Sequence, residues 1–346
     1  MMRYYSYKSY LKHTYGRPIY RVGVDAGFSC PNRTSRTSGG CIYCDDFGGT
    51  AAYQRSREAV HAGGALQLEI KAENTPASFR LHEVSSQISA GRAFVQRRYG
   101  AEDVSLYLQS YSSTHAPIEE LRALYDHALG CGKFTEFIVS TRPDCITPAV
   151  CTLLKEYRFR VSDVWVELGL QSANDQTLKY LNRGHTSAQV RDASMMLREA
   201  GMKLCIHLIL GLPGEGLKEL DETAEFIREL YPEAVKIHNL HICSGTELLD
   251  IYRCGETVTA SVHRHIMQTQ RLLRQLPGDI VIQRVVCDTP SHRLCAPRYF
   301  PSKGRAVKML SEHLESQNSW QGKDLGWPLE QVGMPVPHLR RLYGAV

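Results

Sequence analysis

Short apolar runs alternate with longer helix-like segments from about residue 20 to residue 245 of the chain. Tyr20–Asp25, Val104–Gln109, Phe134–Ser140, Asp163–Gly169, Lys203–Leu210 and Ala234–His241 read as strands. Residues 80–98, 117–129, 148–157, 174–200 and 217–230 read as the helices between them, the fourth broken near Gly184. Pro117 suits a first helical turn, with Glu119 and Glu120 near the positive end of the helix dipole. Gly130 and Gly132 end that helix, and Gly201 ends the one before Leu204. Strand–helix alternation repeated about six times predicts a parallel sheet covered by helices. Leu204–Leu210 is nearly continuous in apolar character, as a strand buried on both faces should be. The pattern does not separate a doubly wound sheet from a barrel, but in both the ligands gather at the C-terminal ends of the strands.

Beyond about residue 245 the rhythm changes. A helix over 261–275 leads through Pro277-Gly278-Asp279 into a strand, Ile280–Val286, then a Pro-rich turn and a helix over 304–316. The expected units are an N-terminal extension (1–20), a core (21–245), a small α+β module (246–322) and a loose tail (323–346) with the Gly and Pro content of a loop.

Composition bounds the class. With 346 residues, 43% apolar and 22% charged, the chain is an ordinary globular sequence with room for one large domain and a smaller one. It has no run of about 20 apolar residues that would make a spanning helix. Met1-Met2-Arg3-Tyr4-Tyr5 lacks the basic-then-apolar pattern of a signal peptide, so a cytoplasmic protein is expected. Eleven cysteines then belong to a reducing compartment, where thiols hold metals or sit in cores. The net charge is +5, and its distribution is uneven: residues 1–60 carry nine Lys/Arg against four Asp/Glu, and 291–346 carry eight against four. Basic ends suit a polyanionic partner such as RNA, and equally a plain solvated surface.

Cys30, Cys41 and Cys44 fall in one short polar loop just past the first strand, spaced Cys-x10-Cys-x2-Cys. A loop carrying Pro31 and Gly39-Gly40 has little to pack with, but three inward thiolates could hold it around a metal. Structural zinc is normally closed by four ligands, and an open position is built for chemistry. Most iron–sulfur clusters also take four cysteines, so one held by three leaves an iron free. Spacing alone leaves zinc open as well, with His13, Asp45 or His61 as fourth ligand. Of the remaining eight cysteines, Cys287 and Cys295 lie near Asp288 and His292, where a second metal is conceivable. No Walker-type phosphate loop is present.

Downstream, the strand ends carry further motifs. They are Ser140-Thr141-Arg142-Pro143-Asp144, Glu167-Leu168-Gly169-Leu170-Gln171, Leu181-Asn182-Arg183-Gly184-His185 and Gly211-Leu212-Pro213-Gly214-Glu215. With Asp25-Ala26-Gly27-Phe28-Ser29-Cys30-Pro31-Asn32-Arg33 and Gly245-Thr246-Glu247-Leu248, the chain resembles the radical S-adenosylmethionine (SAM) superfamily over roughly residues 3–322. The resemblance is to the branch with the Elongator catalytic subunit and oxygen-independent coproporphyrinogen oxidase, and within it to YhcC/YtqA-type proteins.

The resemblance implies an open, TIM-like partial (β/α)6 barrel with the C-terminal module at its side. It implies that Cys30, Cys41 and Cys44 hold a [4Fe-4S] cluster whose free iron binds S-adenosylmethionine. Tyr43 then packs near the adenine, or is simply a loop tyrosine. Gln109 stands where many members bind the SAM ammonium through an acid, and Ser140 where several contact the ribose through Glu. Gln171 and Arg183 match contacts to ribose and methionyl carboxylate, the latter suited to paired N–H donors. His207 is either a SAM contact or a satisfied core histidine; Gly211, with Pro213 and Gly214, would let the backbone approach the adenine. Glu167, in a buried strand, needs a partner, either cofactor or a neighbour inside the barrel.

The expected function is reductive cleavage of S-adenosylmethionine and abstraction of hydrogen from a substrate, with a one-electron donor of flavodoxin or ferredoxin type. The C-terminal module and the Tyr-rich N-terminus are expected to line the access route. A modified wobble uridine of tRNA is the first expectation for the substrate. A small molecule such as a tetrapyrrole is the rival enzyme reading, and a zinc-stabilised RNA-binding module the non-enzymatic one.

Overall fold

The computed structural model describes residues 2–35, 38–45, 58–60, 66–68 and 77–334. His61, weighed above as a ligand, and residues 335–346 lie outside them. Seven strands form one sheet: β1 (Tyr20–Val24), β2 (Val104–Leu108), β3 (Glu136–Thr141), β4 (Asp163–Gln171), β5 (Lys203–Leu210), β6 (Ala234–Asn239) and β7 (Val281–Arg284). Each pairs in parallel with the next in chain order. Strand order without a reversal means that right-handed crossovers put the helices joining successive strands on the same face. That decides between the two topologies left open: the sheet curls into a partial barrel.

The helices are α1 (Tyr7–Tyr15), α2 (Ala77–Tyr99), α3 (Ile118–Gly130), α4 (Pro148–Tyr157), α5 (Asp175–Tyr180), α6 (Ser187–Glu199), α7 (Leu217–Leu230), α8 (Glu247–Arg253), α9 (Val262–Arg274) and α10 (Lys303–Ser316). Thr147 caps α4, and Thr186 with Gln189 makes a capping box on α6. The segment expected as one broken helix is two, α5 and α6, parted by a turn in which Asn182 has φ 49°. Alternate strand residues such as Leu204, Ile206, Leu208 and Leu210 pack outward under the helices in the main core. The other set faces inward.

Three expectations change. The strand placed in the appended module is β7 of the main sheet, next to β6. The Tyr-rich N-terminus does not line an access route: α1 stoppers the opposite end, where Tyr5 and Tyr10 pack with Trp165, Ala234 and Val281. Buried Glu136 ties it down, accepting from Tyr7 at 2.6 Å, Ser105 at 2.6 Å, Trp165 at 3.1 Å and Tyr15 at 3.3 Å. The stretch from 323 is packed rather than loose as far as residue 334, with Trp327 and Val332 buried in the same cluster. The seam between β1 and β7 is bridged as well, by Arg21 Nη2 donating to Gln283 at 2.6 Å and Ile282 N donating to Tyr5 O at 2.7 Å.

Candidate functional site

The inward side chains form layers. Above the aromatic stopper lies a charged layer centred on Glu167, which is fully buried. Its Oε2 accepts from Lys236 Nζ at 2.6 Å, Tyr107 at 2.7 Å and His207 Nε2 at 2.8 Å, and Arg21 Nη1 lies 3.0 Å from Oε1. Burial alone would raise this carboxyl; Lys236, Arg21 and His207 outweigh it and hold it well below the usual carboxylate range. Burial and the Lys236 charge push His207 down to about 4, so the imidazole is neutral. The Glu167, Cys205 and His207 donor atoms lie close enough together for a metal ion, but the Lys236 ammonium already occupies that carboxylate. Glu167 therefore has neighbours inside the barrel, the second of the alternatives weighed for it.

Above this layer, at the C-terminal ends of the strands, is a cavity of about 530 Å³. Cys30, Cys41, Cys44, Tyr43, Gln109, Ser140, Gln171, Arg183 and His207 all line it. Gly211 is not on its wall: its φ is +83° and an added Cβ would meet Ala260 at 3.2 Å. His207 lines the cavity with Nε2 committed to Glu167.

The cysteine loop is bolted to the turn between α5 and α6. Asn182 donates to Gly40 O at 2.8 Å, Asn32 donates to Asn182 O at 2.6 Å, and Ile42 N donates to Leu181 O at 3.1 Å. Arg183 Nη1 lies 3.6 Å from Cys41 Sγ and Nη2 donates to Gly169 O at 2.7 Å. Burial works to raise the Cys41 thiol, but the Arg183 and Arg142 charges outweigh it and keep it below its ordinary value. Cys44, where burial dominates, is pushed up to about 11. From the far side Arg293 Nη1 holds Asp45 at 2.8 Å.

Several further features shape this site. Arg142, buried and paired with Asp144 at 2.8 Å, donates to Arg183 O at 2.8 Å and so props the turn. Gly23 and Gly169 make room: a Cβ at Gly23 would stand 2.8 Å from Gln109 Nε2, and one at Gly169 would stand 2.4 Å from Arg183 Nη2. Tyr111 (φ 55°) and Gln171 (φ 75°) are held in the left-handed region at the cavity wall, a conformation non-glycine residues keep only where the surroundings enforce it. Gly169→Ala is expected to push Arg183 off its carbonyl and lower stability by about 1–3 kcal/mol. Urea unfolding checks this, and an unshifted midpoint would mean the guanidinium moves aside freely.

Residues 93–227 match the radical SAM superfamily, and residues 232–316 match the radical SAM C-terminal domain. Protein YhcC of Escherichia coli (strain K12) is 30% identical over 321 residues, 92% of this chain and 94% of its own length. A tRNA uridine(34) acetyltransferase of Methanocaldococcus infernus is 28% identical over 167 residues, 42% of this chain and 30% of its own. The solved structure of the archaeal Methanocaldococcus infernus Elp3 has the same fold, with a TM-score of 0.61 at 18% identity over 71% of this chain and 62% of that one. Likeness that runs nearly end to end with one relative, and takes in both halves of the barrel, decides what the loop alone left open: the chain belongs to the radical SAM superfamily.

Proposed function

We propose that this enzyme cleaves S-adenosylmethionine reductively at a [4Fe-4S] cluster held by Cys30, Cys41 and Cys44, and acts on a wobble uridine of tRNA. The residues fit the cofactors. The three thiols are free, and they share one cavity with Arg183 and Gln109, which keep buried Nε and Nε2 atoms without a partner among the described residues. Buried polar atoms of this kind call for a ligand. When bound, the cluster and SAM supply an electron-driven route to a hydrogen-abstracting adenosyl radical. The chain's own residues do the rest. Arg183 is placed for a carboxylate, Gln109 for a polar group, and the stoppered base with its charged layer shields the interior from water.

The observation that carries the first part is the meeting of the three cysteines with Gln171 and Arg183 around one cavity. For RNA the support is narrower than the basic ends suggested. Lys12 and Arg17 belong to the stoppered end of the barrel, away from the cavity. Arg293 and Lys303 line the cavity, and between them Tyr299 is 97% exposed beside exposed Arg298. An exposed aromatic among cations is the stacking platform single-stranded RNA uses, and the uridine(34) acetyltransferase named above shares part of the core.

Anaerobic incubation of the reconstituted protein with SAM and dithionite should yield 5′-deoxyadenosine. Adding bulk tRNA should change its nucleoside profile. Cleavage with an unchanged profile would move the substrate to small molecules. Zinc in place of iron and sulfide would sink the radical reading altogether.

A further inference from the structure

A row of strand partners crosses the barrel from β4 to β7 and ends in two cations. Gly169 pairs with His207, His207 with Lys236, and Lys236 with Arg284. The β6–β7 register steps over Gln283, so Arg284 stands opposite Lys236. Irregularities of this kind re-aim a side chain and gather beside functional sites. Like charges opposed across a sheet are destabilising, and here only one is neutralised in place. Lys236 has Glu167 and Tyr107. Glu167 is already shared among Lys236, Arg21, His207 and Tyr107, and no carboxylate among the described residues pairs with Arg284.

Two further groups face the same space. Lys303 lines the cavity, and burial with the Arg284 and Arg21 charges holds its ammonium down to about 8, although Asp288 opposes them. His238 lies two residues beyond Lys236, hence on the same face, and its ring is 5.5 Å from that of His207. Its Nε2 is buried, without a hydrogen-bond partner among the described residues, and the residue lines the cavity.

We propose that Arg284, Lys303 and His238 form a subsite for an oxyanion of the substrate, a carboxylate or a phosphate, on the β6–β7 side of the cavity. The inference rests on the function proposed above and deepens it: the substrate carries a negative group close to the position that reacts. An arginine fork and an ammonium recognise such a group through charge-assisted hydrogen bonds, and the His238 imidazole adds one N–H.

The test is calorimetric titration of the full chain with inorganic phosphate and, separately, with acetate, before and after cluster reconstitution. Saturable binding of one of them is expected, phosphate if a backbone phosphate is the natural group and acetate if a carboxylate is. Arg284→Gln and Lys303→Gln should each weaken the preferred anion by about tenfold or more. Thermal melts of both variants show whether they fold, and Lys303, the more exposed position, remains informative if Arg284→Gln does not. Binding of neither anion, or unchanged affinity in folded variants, overturns the subsite. So does one-for-one displacement of the anion by SAM, which would assign these cations to the cofactor. Because the titrations need no turnover, failure to form 5′-deoxyadenosine would sink the proposed function and leave this result standing.

Discussion

Cys41→Ala is expected to abolish both iron binding and 5′-deoxyadenosine formation while leaving the barrel folded. Cys41 is the buried member of the three, docked against Arg183 at 3.6 Å in a loop that three contacts independent of the thiol hold in place: Asn182 to Gly40 O, Asn32 to Asn182 O, and Ile42 N to Leu181 O. Those contacts do not need a metal, so the loop should keep its position without the thiol. A cluster with two cysteines left has lost a ligand, and Asp45, the carboxylate next to Cys44, is not available to replace it because Arg293 engages it. Cys30→Ala and Cys44→Ala should behave alike. Iron and sulfide analysis reads the cluster directly, product formation reads the chemistry, and far-UV circular dichroism reads the fold. Survival of either iron or product in any of the three variants would show that the ligand assignment is wrong.

Glu167→Gln is expected to cost roughly 3–5 kcal/mol of stability, because removing one partner of a buried charge cluster leaves the others uncompensated. Lys236 can shed its proton: burial already holds it down to about 7, and Glu167 is what raises it. Arg21 has no such exit, as a guanidinium stays charged. Its stacking on Tyr7 at 4.6 Å and Tyr107 at 5.1 Å offsets only part of that charge. The pH dependence follows from the direction of the Glu167 shift. Its folded value is depressed, so its contribution is fully present above the ordinary carboxylate range and is lost as pH falls through the folded value. The wild type should therefore lose this stability only in strong acid, whereas the glutamine variant should lack it throughout. Urea midpoints across pH check both. A loss below about 1 kcal/mol would mean that water reaching through the cavity solvates Arg21.

The parts of the fold that were legible in the sequence are those with local signatures. Apolar runs such as Leu204–Leu210 marked the strands, and the cysteine spacing with Gln171 and Arg183 marked the site's rim. What depended on register was hidden. Val281–Arg284 looks the same as a free hairpin strand or as a seventh barrel strand, and the step over Gln283 that exposes Arg284 leaves no trace in composition. The tyrosines of α1 form an amphipathic stripe, but nothing local says which end of a barrel they cover. The partners of Glu167 come from β1, β2, β5 and β6, so its neutralisation could not be read from any single segment. Gly211 is ambiguous from sequence, because a left-handed glycine beside a strand end serves a turn as readily as a ligand.

The bridged seam also dictates an order of assembly during synthesis. Tyr5 and Arg3 find their partners in Ile282 and Gln321, more than 270 residues later in the chain. Every other neighbouring pair of strands can form as soon as the next strand is made, but this closure must wait until nearly the whole chain exists. Until then Tyr5, Tyr10 and Trp165 lack part of their apolar cover. The nascent barrel is thus exposed to misassociation at its base longer than at any other point, and a ribosome stalled before residue 282 would hold it there.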